Sequence, residues 1–229
     1  MLRNVLASIS AVVLLAGGSP SASAAPLSVI ELFQSEGCSS CPPAEANLNR
    51  LAARPDILAL SFEVTYWDYL GWKDRYGSPA FTQRQRDYAA GMRHDGVYTP
   101  QMVINGRKAI VGVSSDEITS TLRQSQIEAN APVITASRGA VTVAGGPASR
   151  DANVVLITYD PRTINTPIHS GENSGRTLPH RNIVLSIQTL GHWHGGTVHC
   201  VVAPARAQTA QAILVQQGTG GQLIAAAKL

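Results

Sequence analysis

The chain has 229 residues and a formal net charge of +3, and only 14% of its residues are charged. At 44% hydrophobic residues it has the material for a packed core, which excludes a disordered polyelectrolyte. The small positive excess forms no Lys/Arg cluster and no basic run interleaved with aromatics, so the pattern predicts no nucleic-acid partner.

Residues 1–25 read as an export signal. Arg3 supplies a basic start, Val5 to Ala16 is a short apolar run, and Ala22-Ser23-Ala24-Ala25 offers an Ala-x-Ala cleavage site. Cleavage is expected after Ala24 or Ala25. Arg3 is the only charge removed, so the formal net charge then falls from +3 to +2. No later stretch is long and apolar enough to span a membrane as a helix, so the mature chain is expected in the periplasm or outside the cell without a membrane span.

Val29 to Phe33 is a short apolar run that reads as a buried strand. Gln34-Ser35-Glu36-Gly37 forms a turn, and Cys38-Ser39-Ser40-Cys41 follows at once. Pro42 and Pro43 suit the first turn of a helix, where a missing N–H has no intrahelical partner anyway. Ala44, Leu48, Leu51 and Ala52 continue at helical spacing as far as Arg54-Pro55. Ile57 to Val64 is a second strand. Residues 65–98 form a long insert, rich in aromatics at Tyr66, Trp67, Tyr69 and Trp72. Ser78 and Pro79 open a helix in its second part.

The stretch from Gln101 ends in Asn105-Gly106, the strongest short hairpin signal, and Lys108 to Val113 is the returning strand. Ser114 to Glu117 cap a further helix with Ile118 and Leu122 on its apolar stripe. Strands separated by helices predict a sheet with parallel pairs. After Pro132 the pattern becomes strand-like throughout, separated by Gly, Pro and Asn turns, which predicts an all-β sandwich-like unit. The expected organisation is therefore an export signal (1–25), an α/β domain with a helical insert (26–130) and a β domain (131–229).

The chain has three cysteines, and export places them where disulfides persist. Two cysteines three apart, after a strand and at a helix start, form the pattern of a thioredoxin-like redox motif. Cys38 lies over the unpaired N–H groups and the positive end of the helix dipole, which favours its thiolate and makes it the attacking group. Cys41, one turn in, resolves the mixed disulfide. Glu36 and Glu45 oppose the thiolate somewhat. Three other uses of the pair stay open: half of a zinc site, a static structural bond, or a soft-cation pair for copper.

Four segments resemble a family of exported bacterial proteins catalogued as a thioredoxin-like domain of unknown function. They are Glu31 to Ala44, Tyr66 to Asp74, Val97 to Val103 and Gly171 to His180, and the likeness covers nearly all of the mature chain. The resemblance implies a thioredoxin-like fold and a redox role. In thioredoxin-like proteins a cis-proline before a strand faces the redox pair, which assigns that place to Thr99-Pro100 and predicts a cis bond between them. No resident cofactor is implied. The partners would be protein or small-molecule thiols and disulfides, and a redox partner not identifiable from the sequence.

The remaining polar features carry weaker expectations. Tyr66, Trp67 and Trp72 form either a core-capping loop or a substrate rim beside Cys38. His192 and His194 lie two apart in a strand, so both imidazoles face one side and are candidates for a shared ion, although a third ligand is missing. Glu172 and Arg176 are expected to pair and order their loop. Cys200 alternates with apolar neighbours and reads as a buried, inert thiol.

Overall fold

A computed structural model describes residues 26–137, 139–146 and 151–229. The expected export signal, residues 1–25, lies outside the described residues. The first half runs β1 (Ser28–Gln34), α1 (Pro42–Leu51), β2 (Ile57–Glu63), α2 (Pro79–Gly91), β3 (Gln101–Ile104), β4 (Lys108–Ile110) and α3 (Ser115–Gln124). The second half holds β5 (Val133–Ser137), β6 (Ala140–Ala144), β7 (Ala152–Pro167), β8 (Thr177–Trp193), β9 (Thr197–Val201), β10 (Ala210–Gln216) and β11 (Leu223–Lys228).

Local chemistry accounts for several boundaries. Ser78 caps α2 by accepting a hydrogen bond from the Ala80 N–H at 3.2 Å, with Pro79 next to it. Ser114 caps α3 by accepting from the Glu117 N–H at 3.3 Å. Asn105 and Gly106 both have positive φ and turn β3 into β4. At Gly91 a Cβ would lie 2.4 Å from the Gly220 carbonyl, so only glycine lets α2 end against the turn before β11.

One sheet runs through the molecule in the order β11-β10-β7-β8-β2-β1-β3-β4. β1 and β2 pair in parallel along their full lengths, and β2 meets β8 in parallel at Ser61 and Ile183. Both β1 and β2 are covered on two faces, which is why they read as mostly apolar runs, interrupted by Glu31 and Gln34 in β1 and by Ser61 and Glu63 in β2. The change of sequence character near residue 132 falls between α3 and β5. The strands on either side of it nevertheless share this sheet.

A second sheet, β5-β6-β9, lies against one end of the first. Val141 and Val143 of β6 and Cys200 of β9 pack with Val154, Leu156, Ile213, Val215 and Ile224 of the long sheet. Trp193 is fully buried in that layer. This end of the molecule is therefore sheet-on-sheet.

β7 and β8 are unusually long, at 16 and 17 residues. Their register shifts between Asp160 and Thr163, where Pro161 has no N–H to give the ladder. Beyond that bulge the two strands continue as a ribbon, with β8 knitted to α1 and β2. Asn49 donates to the Pro179 carbonyl at 2.7 Å, and Asn182 donates to the Ala59 carbonyl at 2.7 Å. The ribbon thus carries its end loop, residues 168–176, onto the segment that follows β1.

Polar chemistry also ties α2 to the sheet. Arg84 grips the buried Glu31 carboxylate with two nitrogens, at 2.5 and 2.9 Å, and donates to Gln216 of β10 at 3.0 Å. The Tyr88 hydroxyl donates to the same carboxylate at 2.5 Å. Removing one partner leaves a charge stranded in the core. Arg84→Ala should lower the unfolding free energy by about 3–5 kcal/mol, read from urea unfolding curves. A loss below about 1 kcal/mol would mean that water reaches Glu31.

Candidate functional site

Cys38 and Cys41 occupy the turn between β1 and α1 and are joined by a disulfide. Cys41 is the N-cap of α1, and its carbonyl accepts from the Ala44 and Glu45 amides at 3.0 and 3.1 Å. The preceding turn is fixed by Ser35, whose carbonyl accepts from the Cys38 N–H at 3.0 Å and whose hydroxyl accepts from the Gly37 N–H at 3.1 Å. Ser39 and Ser40 are exposed, but Cys38 has 0% of its surface accessible and Cys41 has 2%.

The Thr99–Pro100 peptide is cis and stands just before β3. The Ser40 hydroxyl bridges the two loops, 3.4 Å from the Cys38 sulfur and 3.5 Å from the Thr99 carbonyl. Trp67 donates from its indole to the Thr99 hydroxyl at 2.8 Å, and its Cβ lies over Gly37. Trp72 donates to Glu36 at 2.7 Å and meets the His169 ring edge-on at 5.8 Å. Tyr66 stands behind Trp67, half-buried, with ring centroids 6.5 Å apart. The insert therefore brings both tryptophans to the disulfide loop, while Tyr66 packs into the main core.

The end loop of the β7–β8 ribbon closes the other side. Asn173 is fully buried and donates from one amide nitrogen to the carbonyls of Glu36 and Cys38, both at 2.9 Å. Glu172 accepts from the Ser39 N–H at 3.1 Å and from the Ser39 hydroxyl at 2.6 Å. These two bonds hold its carboxyl below the usual range. The expected Glu172–Arg176 pair is corrected here. Glu172 reaches across to Ser39, which offers an N–H and a hydroxyl to one carboxylate oxygen, and Arg176 instead donates to the Asn173 side chain at 2.7 Å.

Behind the disulfide lies a buried polar cluster. His180 of β8 contacts Glu45 through Nδ1, and its Nε2 stands 3.3 Å from Glu36. Glu63 lies 3.9 Å from the same ring. Gln34 donates to Glu45 at 3.0 Å, to Ser61 at 2.8 Å and to Glu63 at 3.1 Å. Asp74 accepts from the Glu36 amide at 3.0 Å. Burial alone would push His180 down, but its contacts with Glu36 and Glu45 and the charge of Glu63 raise it to about 11. Burial works against Glu36 as a carboxylate, yet His180 and Trp72 hold it below its ordinary range. Burial and the charge of Glu36 lift Asp74 to about 6, and burial with the charge of Asp74 lifts Glu63 well above the usual carboxylate value.

Sequence reasoning treated Glu36 and Glu45 only as local opposition to the thiolate and missed Gln34, Ser61, Glu63, Asp74, His180 and Asn173 as one assembly. A signal was present. Gln34 and Glu63 sit in strands that are otherwise almost wholly apolar, and a polar side chain there needs a buried partner.

His192 lies at the other end of β8, twelve residues from His180 and so roughly 40 Å along the strand, and His194 lies just beyond the strand's end. Their rings are 6.3 Å apart, and His194 contacts the exposed Asp151 at 2.7 Å. Among the described residues no group of three His, Cys, Asp or Glu is arranged to hold a metal ion. Cys200 is unpaired and 7% exposed, and burial raises its thiol pKa.

The shift at His180 carries a sign. A folded-state value of about 11 against the ordinary 6.5 means that the imidazolium stabilises the fold fully below pH 6.5, and that this contribution fades as the pH rises towards 11. Asp74, near 6, has already titrated before most of that window. The urea midpoint should therefore fall between pH 7 and pH 10.5, with a shallower fall in His180→Gln. Parallel curves for the two proteins would mean that His180 is neutral.

Comparison with known proteins places this arrangement. A crystal structure of protein AGR_C_4864 from Agrobacterium tumefaciens superposes with a TM-score of 0.73 at 30% identity, covering 91% of this chain and 96% of that one. HBP35 of Porphyromonas gingivalis superposes with a TM-score of 0.58 at 13% identity, covering 90% of this chain and 75% of that one, a likeness of fold alone. No curated protein matches the sequence. The family described as "Protein of unknown function (DUF1223)" matches residues 29–216, and the chain, with its disulfide turn enclosed by segments from both halves, belongs to that family.

Proposed function

We propose that this protein is an exported thiol–disulfide oxidoreductase whose first half is thioredoxin-like and whose sandwich-like second half frames the redox site. The observation that carries the reading is the Cys38–Cys41 bond at the amino end of α1, linked to the Thr99–Pro100 segment through the Ser40 hydroxyl. A substrate thiolate attacks the Cys38 sulfur and forms a mixed disulfide as the Cys38–Cys41 bond breaks and Cys41 leaves as a thiolate. A second substrate thiolate then displaces Cys38, so the substrate is oxidised to a disulfide and the pair is reduced. In the reverse sense the Cys38 thiolate attacks a substrate disulfide and Cys41 resolves the mixed disulfide, which oxidises the pair and reduces the substrate. The helix dipole and the Ser40 hydroxyl both favour the Cys38 thiolate. Pro100 and Thr99 shape the groove for an extended substrate, and Trp67 and Trp72 form its apolar wall. The Ala-x-Ala signal at the start of the chain supports action outside the cytoplasm.

A second reading rests on the burial of both sulfurs. A disulfide without accessible surface suits a partner-binding module in which the bond is only structural.

The reduction potential separates the two. The mature protein, equilibrated in graded glutathione buffers and trapped by alkylation, should show a potential between about −120 and −270 mV, and its position gives the direction of catalysis. A value below about −300 mV would mark the bond as structural. Cys38→Ser should abolish exchange with a disulfide substrate, and exchange left intact would overturn the assigned role.

A further inference from the structure

We infer that Glu172 is a specificity-determining residue of the redox site, a latch that restricts the Cys38–Cys41 pair to protein partners and shields it from small thiols. The inference rests on the redox reading above. A thiolate must approach a disulfide sulfur along the S–S axis, and access is one of the factors that set the rate of exchange. Cys38 offers no accessible surface. Three contacts close on the Cys38 turn: the Ser40 hydroxyl at its sulfur, Asn173 of the 168–176 loop at its carbonyl, and Glu172 of the same loop at the neighbouring Ser39.

Of these, the loop is held most lightly at its edge. Asn173 is fully buried and anchored by Arg176 and by two carbonyls, whereas Glu172 is exposed and grips only Ser39. Opening the loop at Glu172 therefore requires breaking two bonds in solvent and leaves the core intact. Gly171 and Gly175, both at positive φ, flank the gripping residues and let the loop double back.

The charge on Glu172 also bears on who can open it. Once the carboxylate leaves, the Ser39 N–H and hydroxyl lose their acceptor, and an unmet donor at a closing interface is costly. A protein partner lying along the groove brings backbone carbonyls that replace Glu172. A small thiol that meets only the sulfur does not lie along Ser39 and must work against the closed latch. The Glu172 contacts are to Ser39 and involve no sulfur, so they are the same whether the pair is oxidised or reduced. The latch thus governs rates in both directions without moving the equilibrium.

The test uses the mature chain and its Glu172→Ala and Glu172→Gln variants with two reductants. Dithiothreitol is the small probe, and reduced, unfolded ribonuclease is the protein probe. In each case two electrons pass from the probe's thiols to Cys38–Cys41, leaving the probe oxidised and the pair as dithiol. With dithiothreitol, Glu172→Ala should react about fivefold faster than the parent, the factor that one net hydrogen bond is worth. Glu172→Gln, which keeps an acceptor but no charge, should fall between. The rate with ribonuclease should change by less than twofold, the reduction potential should not move, and the loss of folding free energy should not exceed the same factor converted, about 1 kcal/mol. Equal acceleration of both probes, or no acceleration of either, overturns the latch while leaving the redox reading in place. A loss of stability well beyond that of one hydrogen bond assigns Glu172 a structural role instead, which also overturns it. A parent disulfide that neither probe reduces overturns the redox reading itself.

Discussion

The interaction on which the rest of this structure depends is the burial of one imidazolium among carboxylates. His180 comes from a strand far along the chain, while Glu36, Glu45, Glu63 and Asp74 come from the first half. None of these carboxylates could be sealed from water alone, because an unpaired buried charge is strongly unfavourable. Nor could His180 keep its charge there without them. The cluster therefore specifies a docking geometry more than it adds stability. The placement of β8 over α1 that brings Nδ1 onto Glu45 and Nε2 to 3.3 Å from Glu36 also delivers the 168–176 loop to the disulfide.

The same logic recurs on the other side of the sheet. Arg84 joins Glu31 of β1 to Gln216 of β10, again linking early and late segments through buried polar groups. Apolar packing of β-branched strands tolerates small slips, whereas hydrogen-bonded charges do not. Two polar ties flanking a shared sheet explain why the halves do not behave as beads on a string, despite their contrasting sequence character.

Local elements were legible because their causes are local. Ser78-Pro79, Ser114 and Asn105-Gly106 each act within a few residues, and each stands at the boundary its chemistry implies. The disulfide turn was legible for the same reason, whereas the cis Thr99–Pro100 bond was legible only through the family resemblance, because the dipeptide alone does not fix its isomer. Strand order was not. Period-2 patterning marks β7 and β8 as strands but carries no statement about β2 as their neighbour. The buried cluster escaped notice because its members lie up to 144 positions apart, from Glu36 to His180. Glu172 was matched with Arg176 on proximity along the chain, while its true partner, Ser39, lies 133 positions away.

The pairing of β2 with β8 has a bearing on how the chain can be dissected. Separated after residue 131, the first half would present β2 as an open, apolar strand edge, the kind of surface that recruits other chains. It would also leave Glu36, Glu45 and Glu63 without their cation. A fragment chosen by composition would thus be sticky and frustrated, and a shuffled or permuted version of this chain survives only where the cut spares that seam.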